Sequence, residues 1–241
     1  MSGAWPETAE ALEAEQRRLA SLAPAPWQPG GRLAAAGVFV CFERGVPGQL
    51  ERGWAAAAVF DVERGRILGT ALVSGRAAAP YEPGFLALRE GPLLEAAVRA
   101  LRLPFDVLLV DATGRDHPRR AGLALHLGAV LDLPTVGVTH RPLLAAGSWP
   151  PPERGASSPL FLEGEIVGYW LRTAAGARPL AVHAAWRTAP ETAVEVVLRC
   201  SRSARTPEPL RAARRAAREA RASFERAGQP QFADSSREAG I

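Results

Sequence analysis

The sequence predicts an α/β protein in which a mixed β-sheet, three antiparallel strands followed by a β-α-β unit, is flanked by helices. Three apolar segments within residues 33–76 are separated by short charged or glycine-containing turns, and such turns join antiparallel strands. Helical and strand patterns then alternate over residues 86–139, as the crossovers between parallel strands require. The 241 residues are 47% apolar, which is enough for one core, so we expect a single domain over residues 1–228 and a flexible tail over 229–241.

The chain begins with a predicted helix, WPETAEALEAEQRRLASL, which has Pro6 near its N-terminus, acidic residues in its first turns and arginines later. The proline- and glycine-containing linker APAPWQPGG follows. The three segments predicted to form the antiparallel strands are then LAAAGVFVCF, GWAAAAVFDV and RGRILGTALV.

The centre of the chain places two carboxylates on neighbouring elements. Pro80 and Pro83 restrict the loop that carries Tyr81 and Glu82. Glu90 follows in the first turns of a helix whose apolar residues have helical spacing: Leu93, Leu94, Ala97, Val98 and Leu101. The segment FDVLLVDATG is an apolar run typical of a strand buried on both faces, and it ends in Asp111. We therefore expect Glu90 and Asp111 to converge at one edge of the sheet.

The remaining elements complete the alternating pattern. We predict a helix from His117 to Leu131, a strand in PTVGVTH and a hairpin that turns at Gly164. A further strand, PLAVHAAW, precedes two predicted helices, PETAVEVVLRCSR and PEPLRAARRAAREARASFERAG, the second of which ends near Gly228.

Composition and charge limit the classes of function only loosely. The formal charge is +4 and every basic residue except histidine is an arginine, which weakly favours an anionic partner, although 25 acidic residues make a solvated surface the commoner outcome. The last predicted helix carries arginines three and four residues apart, and these either follow a phosphate backbone or face solvent. They are Arg211, Arg214, Arg215, Arg218 and Arg221.

Cysteine usage and hydropathy favour a cytoplasmic protein. Cys41 and Cys200 lie in apolar contexts without the spacing of metal ligands, so we predict buried free thiols in a reducing compartment. No basic-then-apolar leader and no run of eighteen apolar residues is present in the sequence. We expect a monomer that does not bind membranes.

Three motifs carry a resemblance to a known family. The segments PYEPGFLALREGP, VDATGRDHPRRAGLALHLG and DLPTVGVTH are similar to the endonuclease V patterns PYxPGFLxFREGP, VDGxGxxHPRxxGxASHxG and DLPTxGVAK, with matching separations. The resemblance extends from GVFVCF to RTPEPLR and covers about residues 5–214. It implies a ribonuclease H-like fold and a Mg²⁺-dependent nuclease of DNA repair that acts beside deoxyinosine in DNA or inosine in RNA.

The resemblance also identifies altered catalytic positions. Glu90 and Asp111 match two of the family's metal-binding acids. Phe39 occupies the position of a first-strand aspartate, Arg214 that of a histidine or aspartate after PEPTR, and His140 that of the lysine in GVAK, which implies a place near the scissile phosphate. Three of the five positions have therefore changed.

Two of these changes reduce the need for a cation. Phe39 removes a negative charge and should pack against apolar neighbours. The Arg214 guanidinium should pair with Glu90 or Asp111 and replace Mg²⁺ as the counterion. The alternative is that Asp116, Glu43 or Asp61 rebuilds the metal site, and Asp116 is the strongest of these candidates because it lies five residues after Asp111.

The positions that contact substrate by resemblance are better preserved. Tyr81 corresponds to a wedge residue whose ring stacks on a base, and Gly84, Gly114 and Gly122 correspond to glycines that allow close approach of a flipped base. Ala112 replaces a further glycine, and its methyl group would either narrow that pocket or demand a backbone shift. The complete predicted substrate-binding set is Pro80, Tyr81, Glu82, Pro83, Gly84, Ala112, Gly114, His117 and Gly122.

The other histidines and arginines of this region have more than one interpretation. His117 either takes part in acid–base or phosphate contacts or caps a helix. His126 lies on an apolar helix face and is predicted to be a hydrogen-bonded core residue. Arg119 and Arg120 stand near the start of a predicted helix, where the helix dipole disfavours cations. We therefore expect these two side chains to bind an external anion such as phosphate.

Three hypotheses about function remain. The first is an endonuclease V-like protein that binds inosine-containing or distorted strands and has lost most of its nuclease activity. The second is an active, divergent Mg²⁺-dependent endonuclease with a rebuilt metal site. The third is an interaction protein that retains the fold alone.

Overall fold

The computed structural model describes residues 5–44, 51–202 and 204–227. The predicted tail over residues 229–241, and Gly228 before it, lie outside this part of the chain. The described elements, in chain order, are α1 (Ala9–Ser21), β1 (Ala34–Phe42), β2 (Arg52–Asp61), β3 (Arg66–Arg76), α2 (Leu86–Ala100), β4 (Val107–Val110), α3 (Leu123–Leu131), β5 (Thr135–Thr139), β6 (Ser157–Leu162), β7 (Glu165–Leu171), β8 (Leu180–Ala184), α4 (Pro190–Arg199) and α5 (Glu208–Ala227).

The strands form one eight-stranded sheet in the order β3-β2-β1-β4-β5-β8-β7-β6. Strands β1, β2 and β3 pair in antiparallel fashion, β4 is parallel to both β1 and β5, and β8 returns antiparallel to β5. The hairpin of β6 and β7 completes the far edge. The predicted mixed sheet, with three antiparallel strands before the β-α-β unit, is therefore confirmed.

Helices cover both faces of the central strands. The helices α1, α2 and α3 pack on one face, where Leu108 and Val110 of β4 join their apolar cluster. The helices α4 and α5 lie on the other, where Val107 and Leu109 join a second cluster. The alternation of the four β4 residues between two cores explains why the sequence of this strand is uninterruptedly apolar.

A close backbone contact fixes α5 on the sheet. A Cβ atom at Gly37 of β1 would lie 2.5 Å from the backbone nitrogen of Leu210 and 2.5 Å from the carbonyl carbon of Pro209. Only glycine permits this approach, because any side chain would displace the first turn of the helix. The position of α5 relative to β1 is therefore set by backbone against backbone.

The predicted helix from His117 to Leu131 is wrong at its N-terminal end. Helix α3 begins at Leu123, and residues 117–122 form turns with a left-handed residue, Arg120, at a φ of 56°. The His117 Nδ1 atom accepts a hydrogen bond from the Arg119 backbone amide, and such local bonds compete with helix formation. The turn brings His117 to the site described below instead of placing it on the helix.

Two other sequence predictions concern the cysteines and the absence of membrane-spanning segments. Cys41 and Cys200 are buried free thiols, as predicted. Within the described residues, no helix combines the length and the apolar character needed to cross a bilayer.

Candidate functional site

The two predicted acids meet at the carboxyl ends of the parallel strands. Asp111 follows β4 directly, and the pairing of Val38 with Val110 places Phe39 of β1 beside it. Glu90 projects from α2 into the same cleft, which has a volume of about 190 Å³. We call this the acid cleft; its lining residues include Phe39, Glu90 and Asp111. The expectation that Glu90 and Asp111 converge is thus confirmed.

A guanidinium pairs with one of the two acids of this cleft. Arg214 of α5 donates a hydrogen bond of 2.7 Å from Nη2 to Asp111 Oδ2, with both side chains partly buried. The predicted pairing of Arg214 with an acid is confirmed, and the acid is Asp111. Such a charge-assisted bond supplies the counterion that a carboxylate in a partly desolvated cleft requires.

The Phe39 ring lies against the same guanidinium. Its ring packs against the apolar residues that join β2 to α5, among them Ala56 and Ala217, which confirms the predicted apolar contact. The guanidinium carbon of Arg214 lies 5.2 Å from the centre of the Phe39 ring, and that of Arg218 lies 5.5 Å from it. Phe39 therefore contributes a cation–π surface to the guanidinium that pairs with Asp111.

Glu90 has no ion-pair partner in the described part of the chain. Burial raises the pKa of its carboxyl to about 8; Arg89 opposes this rise and the neighbouring Asp111 adds to it. Arg89 itself pairs with Glu51. At neutral pH the acid cleft therefore holds a protonated Glu90 beside Asp111, whose carboxylate pairs with Arg214.

These residues do not fit a Mg²⁺ site. Mg²⁺ requires oxygen ligands in octahedral geometry, usually from ionised carboxylates. Across residues 5–44, 51–202 and 204–227, no group of three or more His, Cys, Asp or Glu side chains is arranged to hold a metal ion. Beside Asp111 lie an aromatic ring and a guanidinium, neither of which offers an oxygen ligand.

The hypothesis that Asp116 rebuilds the site does not agree with its contacts. Asp116 is fully buried, and its two carboxylate oxygens accept hydrogen bonds of 2.6 to 2.8 Å from the backbone amides of Leu143, Leu144 and Ala145. Asp61 is a poor substitute, because it pairs with Ala34 at the opposite end of the sheet and bonds to Arg64. Both oxygens of Asp116 therefore hold the loop at residues 143–145 and are not turned toward a metal site.

A second depression lies next to the acid cleft. We call it the loop cavity; it has a volume of about 250 Å³ and forms between the loop at residues 81–84, the turn after β4 and helix α2. Six residues of the predicted substrate-binding set line it: Tyr81, Glu82, Pro83, Gly84, Ala112 and His117. Asp111 lines both the loop cavity and the acid cleft, so the two are continuous.

The other predicted glycines act behind the cavity wall. A Cβ at Gly114 would lie 2.0 Å from the Ala184 carbonyl oxygen, and one at Gly122 would lie 2.5 Å from the Thr113 carbonyl oxygen. Neither glycine lines the loop cavity, nor does Pro80. In the structure the two glycines allow the turn after β4 to pack tightly, and this packing shapes the cavity.

The loop that bears Tyr81 is fixed by internal hydrogen bonds. Gly84 has a left-handed φ of 82°, and its carbonyl oxygen accepts a bond of 2.9 Å from Arg119 Nη2 and a longer one of 3.3 Å from His117 Nε2. Arg119 also donates to Gln16 at 2.6 Å and to Glu13 at 3.2 Å, both on α1. One guanidinium thus connects the loop to the first helix.

These contacts correct the expectation of external anions at Arg119 and Arg120. Arg119 is used internally, and Arg120 donates to the Leu162 carbonyl and pairs with Glu163. His117 is neutral at pH 7, because burial and Arg119 lower its pKa to about 4. His117 therefore holds this loop by hydrogen bonds and, being neutral, offers no positive charge to a phosphate.

The remaining histidines differ in exposure. His126 is buried and stacks on Trp5 with ring centres 4.6 Å apart, but its Nδ1 has no hydrogen-bond partner among the described residues, so the predicted fully bonded core histidine is only partly correct. His140 is exposed after β5, and partial desolvation, with Arg205 nearby, lowers its pKa. His140 is thus a neutral group beside the cleft at pH 7.

Several residues of the loop cavity escaped sequence reasoning. Gln16 of α1, Thr139 at the end of β5 and Leu143 line its far side. Nothing in the local pattern of α1 connects it to residues about a hundred positions later. The departure of Thr139 from the alanine of the GVAK pattern was the one available signal.

An arginine-rich depression lies across the Asp111–Arg214 pair from the loop cavity. It has a volume of about 290 Å³ and is formed by α5 with Ile67 of β3; we call it the arginine groove. The exposed Arg215 has no partner among the described residues, and Arg218 contacts only the Phe39 ring there. The arginines that line it are Arg211, Arg214, Arg215 and Arg218.

Comparison with known proteins gives a consistent result. The model of the Endonuclease V family matches residues 30–215. A protein of Methanopyrus kandleri named Endonuclease V is 49% identical over 160 residues, covering 66% of this chain and 69% of that protein. Among solved structures, the Endonuclease V of Streptomyces avermitilis superposes with a TM-score of 0.82 at 33% identity, covering 92% of this chain and 96% of that one.

A third comparison adds a bound nucleic acid. The Endonuclease V of Ciona intestinalis, solved in complex with a 24mer DNA containing an inosine followed by a ribo-adenosine, has a TM-score of 0.78, covering 91% of this chain and all of that one. Its identity is 19%, so this likeness shows the fold alone. Together the superpositions confirm the predicted ribonuclease H-like architecture.

Proposed function

Because the chain belongs to the endonuclease V family, we propose that it binds inosine-containing or distorted strands of DNA or RNA and has lost most of the family's nuclease activity. The observation that carries this proposal is the ion pair of 2.7 Å between Arg214 and Asp111. It places a positive side chain on the acid that a catalytic cation would need.

The binding half of the proposal rests on three features in sequence along one surface. Tyr81, 68% exposed on a loop held by Arg119, offers an aromatic face for stacking on a base. The loop cavity beside it is concave and largely apolar, as a site for a flipped base would be. The arginine groove continues from Asp111 along α5 and supplies guanidinium groups for phosphates.

The arrangement also explains how binding proceeds without a metal. The Asp111 carboxylate would repel a strand that crosses from the loop cavity to the arginine groove. Arg214 cancels that charge, and the protonated state of Glu90 adds none. The surface between the two sites is therefore free of net negative charge at neutral pH.

The test measures binding and cleavage separately. Fluorescence anisotropy in EDTA compares a single strand that carries one deoxyinosine with the same strand that carries adenine; the proposal expects tighter binding of the deoxyinosine strand and an affinity that falls with salt. Tyr81→Ala should weaken binding by about 1 to 3 kcal/mol. Equal, salt-insensitive binding of both strands, or none, contradicts the proposal and favours an interaction protein.

The arginine groove is tested with matched variants of one helix. Arg215→Gln and Arg218→Gln should each lower the slope of log affinity against log salt by about 1. Arg226→Gln, more than two turns further along α5, should leave the slope unchanged. If all three variants behave alike, the groove is a solvated face.

Cleavage decides between the proposal and an active, divergent endonuclease. The one feature that favours the second function is Glu90, a carboxyl beside Asp111 that no cation side chain neutralises in the described residues. Strong Mg²⁺- or Mn²⁺-dependent cutting of the deoxyinosine strand by the unaltered protein would establish the active enzyme. Binding without such cutting supports the proposal.

A further inference from the structure

A buried chain of polar groups ends at the wall of the loop cavity. Thr139, which lines the cavity, has its Oγ1 atom 2.8 Å from His183 Nε2 and 2.6 Å from the Arg141 carbonyl oxygen. His183 Nδ1 lies 3.7 Å from Asp116 Oδ2. The three side chains come from the end of β5, from β8 and from the turn after β4.

His183 lies at a position where the fold makes room for it. It is fully buried in β8 and pairs with Gly137 on one side and with Gly168 on the other. A Cβ at Gly137 would lie 3.2 Å from the His183 Cβ. An imidazole in an otherwise apolar strand costs free energy unless it is hydrogen-bonded, so its bond to Thr139 is an essential part of this arrangement.

The direction of these hydrogen bonds follows from the atoms involved. The Arg141 carbonyl can only accept, so the 2.6 Å contact requires that the Thr139 hydroxyl donates to it. The hydroxyl then accepts from His183, whose Nε2 must carry the hydrogen. Burial holds the pKa of His183 below its usual value, so the ring is neutral and Nδ1 carries no hydrogen. Nδ1 has no hydrogen-bond partner among the described residues.

The Thr139 oxygen is therefore fixed as an acceptor. Its hydrogen is used by Arg141 and one lone pair by His183, which leaves the second lone pair for a ligand. Asp116 secures this state, because its bonds to the amides of residues 143–145 hold the loop that follows Arg141. A free hydroxyl could rotate to suit any ligand, whereas this one cannot.

We propose that Thr139 Oγ1 is a specificity-determining acceptor that selects bases with a hydrogen on a ring nitrogen, with His183 as the positioning residue. This inference rests on the proposed function, since it assumes that the loop cavity takes a base. Hypoxanthine carries a hydrogen at N1 and can donate to Thr139. Adenine has a lone pair at N1, which would face the Thr139 lone pair and leave both unsatisfied.

The binding test uses two variants and two strands. Thr139→Val keeps the shape of the side chain without the hydroxyl, and Thr139→Ser keeps the hydroxyl. The ratio of dissociation constants for the adenine and the deoxyinosine strand should fall about five- to tenfold in Thr139→Val, the loss of about one hydrogen bond. It should stay near the wild-type value in Thr139→Ser. An unchanged ratio in Thr139→Val overturns the inference while the proposed function stands.

A second measurement needs no nucleic acid. Nitrogen-15 NMR of the free wild-type protein should show the His183 hydrogen on Nε2. In Thr139→Val that bond has no acceptor, so the hydrogen should move to Nδ1, which faces the Asp116 carboxylate. A wild-type hydrogen on Nδ1 overturns the inference whatever the binding result. A wild type without any preference for deoxyinosine overturns both the inference and the proposed function.

Discussion

The loop cavity and the acid cleft share Asp111, yet they are held together in opposite ways. The cavity is shaped mainly by its backbone: a left-handed glycine, close packing behind Gly114, and the Gly84 carbonyl oxygen that Arg119 and His117 hold by hydrogen bonds. The cleft is held by charge, since the Asp111 carboxylate pairs with the Arg214 guanidinium. A site built from backbone packing resists change, whereas a site built from charge can be altered by one side chain.

The largest expected effect comes from reversing the charge of the cleft. The triple variant Phe39→Asp, Arg214→His, His140→Lys replaces a ring and a guanidinium by potential ligands and adds a cation beside the cleft. We expect Mg²⁺-dependent cleavage of a deoxyinosine strand to rise about a hundredfold or more over wild type. Gel assays of product formation with and without Mg²⁺ measure it.

The single change Phe39→Asp is the control for that gain. It adds an acid while Arg214 still competes for Asp111, so cleavage should remain near the wild-type level. Calorimetric titration with Mg²⁺ should likewise show weak binding in the single variant and tighter binding in the triple. Full activity from Phe39→Asp alone would show that Arg214 does not block the site.

The next effect concerns the loop that borders the loop cavity. Arg119→Ala removes the bonds from Arg119 to Gly84, Gln16 and Glu13, and should lower the free energy of unfolding by about 2 to 4 kcal/mol. Urea denaturation measures the loss. Arg17→Ala is the matched control, because Arg17 is 68% exposed and contacts the same Glu13; its effect should stay within about 0.5 kcal/mol. Equal losses would mean that the loop is not held by Arg119.

A smaller effect tests the ion pair itself. Arg214→Met leaves Asp111 without its counterion and should cost about 1 to 2 kcal/mol, since the pair is only partly buried. Adding Asp111→Asn should recover most of that loss. A double-mutant cycle from urea midpoints gives the coupling energy, and additive losses would show that the two charges do not stabilise each other.

The smallest effect, about 1 kcal/mol over the measured range from pH 7 to 8, is the pH dependence that Glu90 contributes. The carboxyl keeps its proton in the folded state up to a pKa of about 8, whereas the unfolded chain loses it near 4.5, so unfolding releases a proton between these values. Stability should therefore fall as pH rises, by up to about 1.4 kcal/mol for each pH unit in this window. In Glu90→Gln the fall should be absent.

Measurement of urea midpoints between pH 7 and 8 isolates this contribution. His117 and His126, whose pKa values are lowered to about 4, act in the opposite direction and mainly below pH 6.5, where the unfolded chain gains protons first. Parallel stability curves for wild type and Glu90→Gln above pH 7 would show that Glu90 is ionised in the folded protein.

The sequence predicted the mixed sheet with three antiparallel strands before a β-α-β unit, the convergence of Glu90 and Asp111, and an ion pair of Arg214 with one of these acids, because strand polarity and the family motifs determine these features. Two predictions for the turn after β4, Asp116 as a metal ligand and His117 as the start of a helix, disagree with the structure for the same reason. Asp116 and His117 make their decisive hydrogen bonds to Leu143 and Gly84, about thirty residues away in either direction. Local patterns contain no information on such contacts.

The Thr139–His183–Asp116 chain shows the same limit. Thr139 and His183 are 44 residues apart, and each alone reads as an ordinary member of a strand. Only the antiparallel register of β5 and β8, with Gly137 opposite His183, brings them together.

The glycine contact that seats α5 on β1 has a consequence for how this family of proteins can change. Pro209 and Leu210 lie against Gly37 whatever side chain stands at position 214, one turn further along the helix. A carboxylate, an imidazole or a guanidinium at that position starts from the same backbone location and points at the same strand end. The scaffold can therefore present an acid, a neutral ring or a cation at this position while the helix stays in place.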